Sequence, residues 1–258
     1  MSQKRIRPLK LGILLLGGIW CGVAWPEQLA AQGPNPPGAG FDAALMQLFG
    51  QHKNFVAEAE LRVVDGQQTD KVILPMRFAA RAGRFRTEVD LTQMRGAQAQ
   101  REQMEMVKQM GMDQIVNITH PDAGTMHLVF PSARATVRLE MPADDRKALA
   151  QPPKLERSFL GEETVDGHPC RKEQVAVTLA NGRRAEVTVW SATDLQGFPL
   201  QIQTSDKGDT VTFRYRKVRF AEPGADLFEP PRDYTIYTNM ESFTAALMQK
   251  LMKEAVKR

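Results

Sequence analysis

Cysteine, histidine and long apolar stretches are scarce in this chain of 258 residues, and each shortage excludes a class of protein. Two cysteines, Cys21 and Cys170, lie far apart. The first falls in an N-terminal segment expected to be removed, so Cys170 has no partner in the mature chain and no internal disulfide can form. A domain of about 227 residues does not need one, because at that size it buries enough apolar surface. Four histidines, His52, His120, His127 and His168, show no zinc-ligand spacing such as His-Glu-x-x-His. No Gly-x-Ser-x-Gly, P-loop or dinucleotide fingerprint is present, which removes the commonest signatures of hydrolases, nucleotide enzymes and dehydrogenases. Glu162-Glu163 reads as a solvated pair beside a turn rather than an acid–base couple.

The one apolar run is N-terminal and short. Lys4, Arg5, Arg7 and Lys10 precede Leu11–Trp25, and Leu29-Ala30-Ala31 supplies small residues for cleavage near Ala31. The run falls short of the ~20 residues of a membrane span and holds Gly12, Gly17, Gly18 and Gly22, so it reads as a Sec-type signal peptide over residues 1–31. Cys21 follows Ile19-Trp20 rather than a small residue, which argues against lipidation. A periplasmic or secreted protein is expected. The formal charge of +4 also shrinks, because residues 1–31 hold four of the 34 basic residues and one of the 30 acidic ones. The remaining +1 gives no electrostatic ground for nucleic-acid binding.

Residues 32–40, Gln-Gly-Pro-Asn-Pro-Pro-Gly-Ala-Gly, form an expected flexible linker, and 41–258 an expected single domain. Phe41 to His52 has helical spacing. From Phe55 the period becomes two, with Phe55, Ala57, Ala59, Leu61 and Val63 on one face. Strands follow over Lys71–Ala80, Arg84–Leu91, Gln114–Thr119, Thr125–Phe130 and Arg134–Met141. Helices are expected over Arg95–Met110, Ala143–Gln151 and Glu241–Lys257, with a helical turn at Asp226-Leu227-Phe228. Between Phe159 and Pro230 the glycines of Asp166-Gly167, Asn181-Gly182, Gln196-Gly197 and Lys207-Gly208 sit where hairpins need positive φ. About ten long strands without intervening helices predict a mainly β, α+β fold: a large curved antiparallel sheet forming an incomplete barrel, covered by a few helices.

The order Gly161-Glu162-Glu163-Thr164-Val165-Asp166-Gly167-His168-Pro169-Cys170-Arg171-Lys172, then Val187-Thr188-Val189-Trp190-Ser191, Asp194-Leu195, Phe198-Pro199-Leu200 and Ala225-Asp226-Leu227-Phe228-Glu229-Pro230-Pro231, resembles the periplasmic lipoprotein-carrier-like (LolA/LolB-like) superfamily. Leu128-Val129-Phe130-Pro131-Ser132-Ala133-Arg134 matches its paired middle strands. The resemblance spans roughly 55–237 as a pattern, with motif-like residues over 159–231. No position matches the family's lid-locking arginine or protruding apolar loop, so the likeness is to uncharacterised exported members rather than to the carriers. It implies a half-barrel whose hollow holds acyl chains or lipids, or a fold that binds other envelope proteins. The fold does not fix the ligand.

Methionines 94, 104, 106, 110 and 112 cluster on the mid-chain helix and its flanks. Flexible thioethers suit a lid that repacks around variable apolar chains, and equally suit ordinary gap-filling. Cu(I) ligation by Met104, Met106, Met110 and Met112 is a third reading, without a nearby histidine or cysteine to support it. His120 and His127 flank the turn 121–124, either as a pair facing across a hairpin or, the commoner case, as separate partly exposed strand residues. Trp190 reads as core, Cys170 as a half-buried small side chain, and Arg214, Arg216, Lys217 and Arg219 as a solvent face. The expected cavity lining is Met104, Val107, Met110, Leu128, Phe130, Leu200, Ile202, Val211 and Phe213. The expected function is non-catalytic binding of a lipid or acylated protein by a monomer, without cofactor, metal or nucleic acid. A cell-envelope interaction or sensor domain with a filled core is the alternative.

Overall fold

A computed structural model describes residues 46–97, 101–180, 182, 184–206 and 208–256; the expected signal peptide and linker lie outside them. Met46–Leu48 is helical, within the helix expected over 41–52. Twelve strands follow: β1 Asn54–Val64, β2 Asp70–Arg81, β3 Arg84–Asp90, β4 Gln114–His120, β5 Thr125–Phe130, β6 Ala135–Glu140, β7 Lys154–Val165, β8 His168–Thr178, β9 Arg184–Ala192, β10 Phe198–Asp206, β11 Asp209–Arg219 and β12 Thr235–Tyr237. The helices are α1 Arg101–Gln109, α2 Ala143–Ala150 and α3 Met240–Val256.

All twelve strands join one sheet in the order β12-β6-β5-β4-β3-β2-β1-β11-β10-β9-β8-β7. Two meanders, β1–β6 and β7–β11, meet where β1 pairs with β11, and every pairing is antiparallel except β12 on β6. The sheet curves without closing, so the expected incomplete barrel is the observed architecture. β12 has no counterpart in the sequence reading.

Local chemistry explains most boundaries. Along β1 the odd residues Phe55, Ala57, Ala59 and Val63 are buried while Asn54, Glu58 and Arg62 are exposed, as the period of two requires. Asp166 and Gly167 both take positive φ, at 49° and 86°, the conformation of a two-residue turn matched to the twist of β7 and β8. Pro75 sits inside β2, yet β2 pairs with β3 only from Met76 onward. Ile73, of the same alternation as Pro75, exchanges both backbone bonds with Arg95 (2.8 and 2.9 Å), so the missing N–H points to where the β3 ladder has ended. That bridge also shortens the expected 95–110 helix, because Arg95 is held extended and α1 begins at Arg101.

Two helical elements and α1 cover the concave face. Leu48 and Phe49 pack over the β7–β11 side with Phe55, Phe198 and Tyr215, and Phe243 and Leu247 of α3 pack over the β1–β6 side. The seam is aromatic: Phe55 lies 4.9 Å from Phe198, 5.0 Å from Phe49 and 5.6 Å from Phe78, centroid to centroid, and Phe198 lies 5.9 Å from Tyr215.

The segment 220–234 is a strap across the convex face, carrying the chain from β11 to β12 on the far edge. The helical turn Ala225–Phe228 drives Phe228, fully buried, between Ala79, Val116, Ile118 and Val129. Arginines hold the strap: Arg81 pairs with Glu222 at 2.7 Å and donates to the Pro223 carbonyl, Arg86 donates to the Leu227 carbonyl at 2.7 Å, and Arg84 donates to Glu229 at 3.1 Å. His120 Nε2 contacts the Phe228 carbonyl.

Replacing Phe55 by Ala removes the ring shared by both meanders and by Phe49. A loss of about 3–5 kcal/mol is expected, as for other fully buried phenylalanines. Urea unfolding checks it; a loss below about 1 kcal/mol shows that the seam does not depend on this ring.

Candidate functional site

The concave face brings the sequence-predicted lining together. Leu128 and Phe130 project from β5, Val211 and Phe213 from β11, and Met104 and Val107 from α1, with Met110 just after it; all seven share one apolar cluster with Val63, Leu74, Met112 and Ile115. Leu200 and Ile202 of β10 belong to the adjoining cluster on the β7–β11 side, and Phe213 packs against both. The cross-strand register explains the convergence, since Leu61, Phe213 and Ile202 lie opposite one another in turn across β1, β11 and β10. A shift of one residue anywhere in that series would have sent the side chains to the other face.

The second cover was not part of the predicted lining. Phe243 of α3 stacks on Phe130 at 4.5 Å with the rings 22° apart, and lies 5.4 Å from Tyr237. The spacing of Phe243 and Leu247 marks an apolar helix face, but nothing local says that this face enters the hollow.

The protein's own side chains occupy the described hollow beneath α1, α3 and Phe49, and a cleft of about 480 Å³ opens beside Phe49, His52, Phe85 and Pro121. One cavity there, under Phe49 and lined by Phe78, Phe85, Asn117, Thr119 and Tyr215, measures about 40 Å³. Such a space suits a water molecule, against roughly 300–1,000 Å³ for a ligand pocket. Asn117 Oδ1 is buried there without a hydrogen-bond partner.

Larger clefts lie on the convex face beside the strap. One of about 560 Å³ is lined by Val56, Ala79, Leu227, Arg77, Lys217 and Arg219 and sits where β1 and β11 shift register between Val56 and Glu58. Lys217, at φ 50°, marks that irregularity and breaks the regular alternation expected of the Arg214–Arg219 solvent face. The next, about 580 Å³, shares Glu58, Arg77, Arg86 and Glu88 with it. These charges compensate one another: Lys217 bonds Glu58 at 2.8 Å and Arg86 bonds Glu88 at 2.8 Å.

The remaining candidates are accounted for by packing. Trp190 is buried and its indole N–H donates to Glu163 at 2.7 Å. Cys170 is fully buried rather than half-buried, and burial pushes its thiol up, away from the reactive thiolate. Met104 and Met110 are half-buried and Met112 is buried in the apolar cluster, while Met106 is 44% exposed, so the four thioethers do not converge. Among the described residues no group of three or more His, Cys, Asp or Glu side chains is placed to hold a metal ion. Among them, too, no helix is long and apolar enough to cross a membrane. Glu173, 6% exposed, accepts from Arg157 and Arg171 at 2.9 Å each, a charged clasp near the open edge of the sheet.

His120 and His127 do face each other across the β4–β5 hairpin, with ring centroids 5.6 Å apart. Desolvation pushes His127 below its ordinary value, helped by His120 and Arg138 and opposed by Glu229 and Glu140. His52, stacked on Phe220 at 5.1 Å, is lowered by burial.

No family model matches the chain, and no curated protein matches it. Solved structures that it resembles include a LolA superfamily protein of Nitrosomonas europaea, at 8% identity over 74% of this chain and 97% of that one, with a TM-score of 0.35. MucB in complex with periplasmic MucA aligns at 14% identity over 78% of this chain and 62% of MucB, with a TM-score of 0.37. The lipoprotein LppX of Mycobacterium tuberculosis aligns at 11% identity over 72% of this chain and 95% of that one, with a TM-score of 0.33. Lipoprotein-carrier-like proteins, the superfamily the sequence resembles, are thus among the structures similar to this chain. Scores of this size carry no assignment of ligand or activity.

Acid sensitivity follows from the two lowered histidines. The unfolded chain takes up protons at about pH 6.5 while the folded one does so only at lower pH, so stability is complete above 6.5 and declines as pH falls below it. Thermal unfolding is expected to show a lower midpoint at about pH 5 than at about pH 7.5, with a smaller difference in His127→Gln. An undiminished difference in that variant removes His127 from the account.

Proposed function

We propose that this chain is an exported, non-catalytic binding protein that takes an acyl chain or a similar apolar ligand between the concave face and its covering helices. One observation carries the reading. The side chains over β5 and β11 come from separate helical elements, Met104, Val107 and Met110 of α1 and its C-terminal flank and Phe243 and Leu247 of α3, while Leu48 and Phe49 lie with Leu200 and Ile202 of β10. A cover built this way can be displaced without breaking the strand ladder. On this reading residues 1–31 direct the chain to the periplasm or beyond, 41–258 act as one domain, and the nine lining residues contact the ligand.

The energetics permit the exchange. Exposing Phe243 and Leu247 costs roughly 3–6 kcal/mol, at about 1.5–3 kcal/mol for each buried side chain. An acyl chain of ~14 methylenes recovers about 11 kcal/mol at ~0.8 kcal/mol each if fully covered. Side chains displaced by a ligand of that length therefore give way with free energy to spare, even after the cost of association is counted at its lower bound of about 4 kcal/mol. Methionine at two of the contact points, Met104 and Met110, favours repacking over a single fixed fit.

The second reading rests on the 40 Å³ cavity. A hollow that stays filled supports a cell-envelope interaction or sensor domain, whose partner docks on the outside and which carries no lipid.

Native mass spectrometry of the full chain expressed in an exporting host, purified without detergent and paired with organic extraction, separates the two. Lipid-mass adducts are expected on the wild type and are expected to fall at least about tenfold in Met110→Glu and Phe213→Glu. Circular dichroism confirms that both variants fold. A clean mass that takes up no added fatty acid or phospholipid overturns the binding reading in favour of the second.

A further inference from the structure

From β1 to β6 the strand register lays Ala57, Phe78, Thr87, Asn117, Leu128 and Val137 in one line across the concave face. The outer members are apolar, as a buried face requires, while Thr87 and Asn117 at the centre are polar. Asn117 Oδ1 is buried and accepts no hydrogen bond, so the cost of desolvating that oxygen is not recovered within the protein. His127 Nδ1 and Thr136 Oγ1 are buried without partners too. His127 lies opposite Ile118 and Thr136 opposite Val129, however, which puts both on the convex face.

Along β4, Asn117 stands between two environments, each a step of about 7 Å away at ~3.4 Å per residue. Ile115 on one side belongs to the apolar cluster beneath α1 and α3. Thr119 on the other leads to the end of the hollow, where the Ala82-Gly83 turn and the β4–β5 turn approach Phe49. The 480 Å³ cleft opens at this end, with His52, Lys53, Gly83 and Pro121 around it. Met46, Phe49 and Phe85 line both the cleft and the 40 Å³ cavity at Asn117, so these three side chains are the partition between that oxygen and the opening. Met46 and Phe85 are only half-buried. The cleft is of ligand size, whereas the cavity behind the partition is of water size.

Polarity therefore falls from an open mouth, through a polar centre, to an apolar end. An amphiphile matches that gradient in one direction, with its tail under α1 and α3 and its head at Asn117. A buried acceptor favours a head that donates, a hydroxyl or an amide N–H. An ester or carboxylate would set its own oxygens against Oδ1 with no proton between them. We infer that Asn117 is a head-group subsite that selects single-chain amphiphiles carrying a hydroxyl or amide donor, with the cleft beside Phe49 as the mouth where the head lies. The subsite rests on the binding reading above, to which it adds the ligand's orientation and chemical class.

Competition between 1-monolauroylglycerol, which has hydroxyl donors, and methyl laurate, which has the same acyl chain and none, tests it. The two are offered in equal amount to the delipidated full chain, and native mass spectrometry counts each bound mass. Apolar burial alone favours the ester. The wild type is nevertheless expected to hold the glycerol ester in about tenfold excess. That excess is expected to vanish or reverse in Asn117→Leu, a change that breaks no hydrogen bond to Oδ1 and whose folding circular dichroism checks. Hydrogen exchange is expected to slow on binding at 49–53 and 82–85 as well as at 104–112. If neither probe binds, the binding reading fails and takes the subsite with it. Equal binding of both by the wild type, or an excess undiminished in Asn117→Leu, overturns the subsite while binding in the hollow stands, and leaves Asn117 facing a water only. Slowing at 104–112 alone overturns the mouth. The wild-type competition needs no variant, so it decides the matter even if Asn117→Leu fails to fold.

Discussion

One strand pairing makes a single sheet out of two meanders. β1 and β11, more than a hundred residues apart in sequence, form the junction through which β2–β6 and β7–β10 share a curvature and a concave side. Backbone hydrogen bonds alone would hold any register. The aromatic seam of Phe49, Phe55, Phe78, Phe198 and Tyr215 selects one, because only one register turns those rings inward together. Everything assigned to the hollow follows from that selection.

How far the sequence made this legible depends on whether a segment carries its own signal. β1 was readable because its alternation is strict and one face is buried. The turn at Asp166-Gly167 was readable because positive φ at both positions calls for that chemistry. β7 begins at Lys154, before the region the sequence marks, because both its faces are exposed and no apolar alternation is needed. β12 is a three-residue parallel strand whose pairing with β6 depends on a partner a hundred residues away. The helical turn of the strap was readable at Asp226-Leu227-Phe228, but its course was not, since its anchors are arginine contacts with carbonyls that any surface loop could offer.

The placement of the candidate lining was legible in part for the same reason. Strand faces follow from alternation, so Leu128, Phe130, Leu200, Ile202, Val211 and Phe213 were placed on the correct side. Helix destinations do not follow from periodicity. Phe243 and Leu247 announce a buried stripe without saying which surface buries it, and the filled state of the hollow depends on that choice. The convex clefts arise from a register shift and from where the strap lies, neither of which follows from local periodicity.

The chain order of these elements gives the strap a further meaning. It lies between the last strand of the second meander and the helix that plugs the first, passing behind the sheet before α3 comes around its edge. As the polypeptide is extended from its N-terminus, β1–β6 and α1 can assemble while α3 does not yet exist, and the part of their concave face that Phe243 and Leu247 cover stands open through the making of β7–β11. The plug is therefore the last arrival, delivered by a leash already fastened at Arg81, Arg86 and Phe228. Tethering converts its entry from a search through solution into a short local reach. The order of synthesis thus sets the order in which the concave face is covered, with Phe243 and Leu247 arriving from a segment held at high effective concentration.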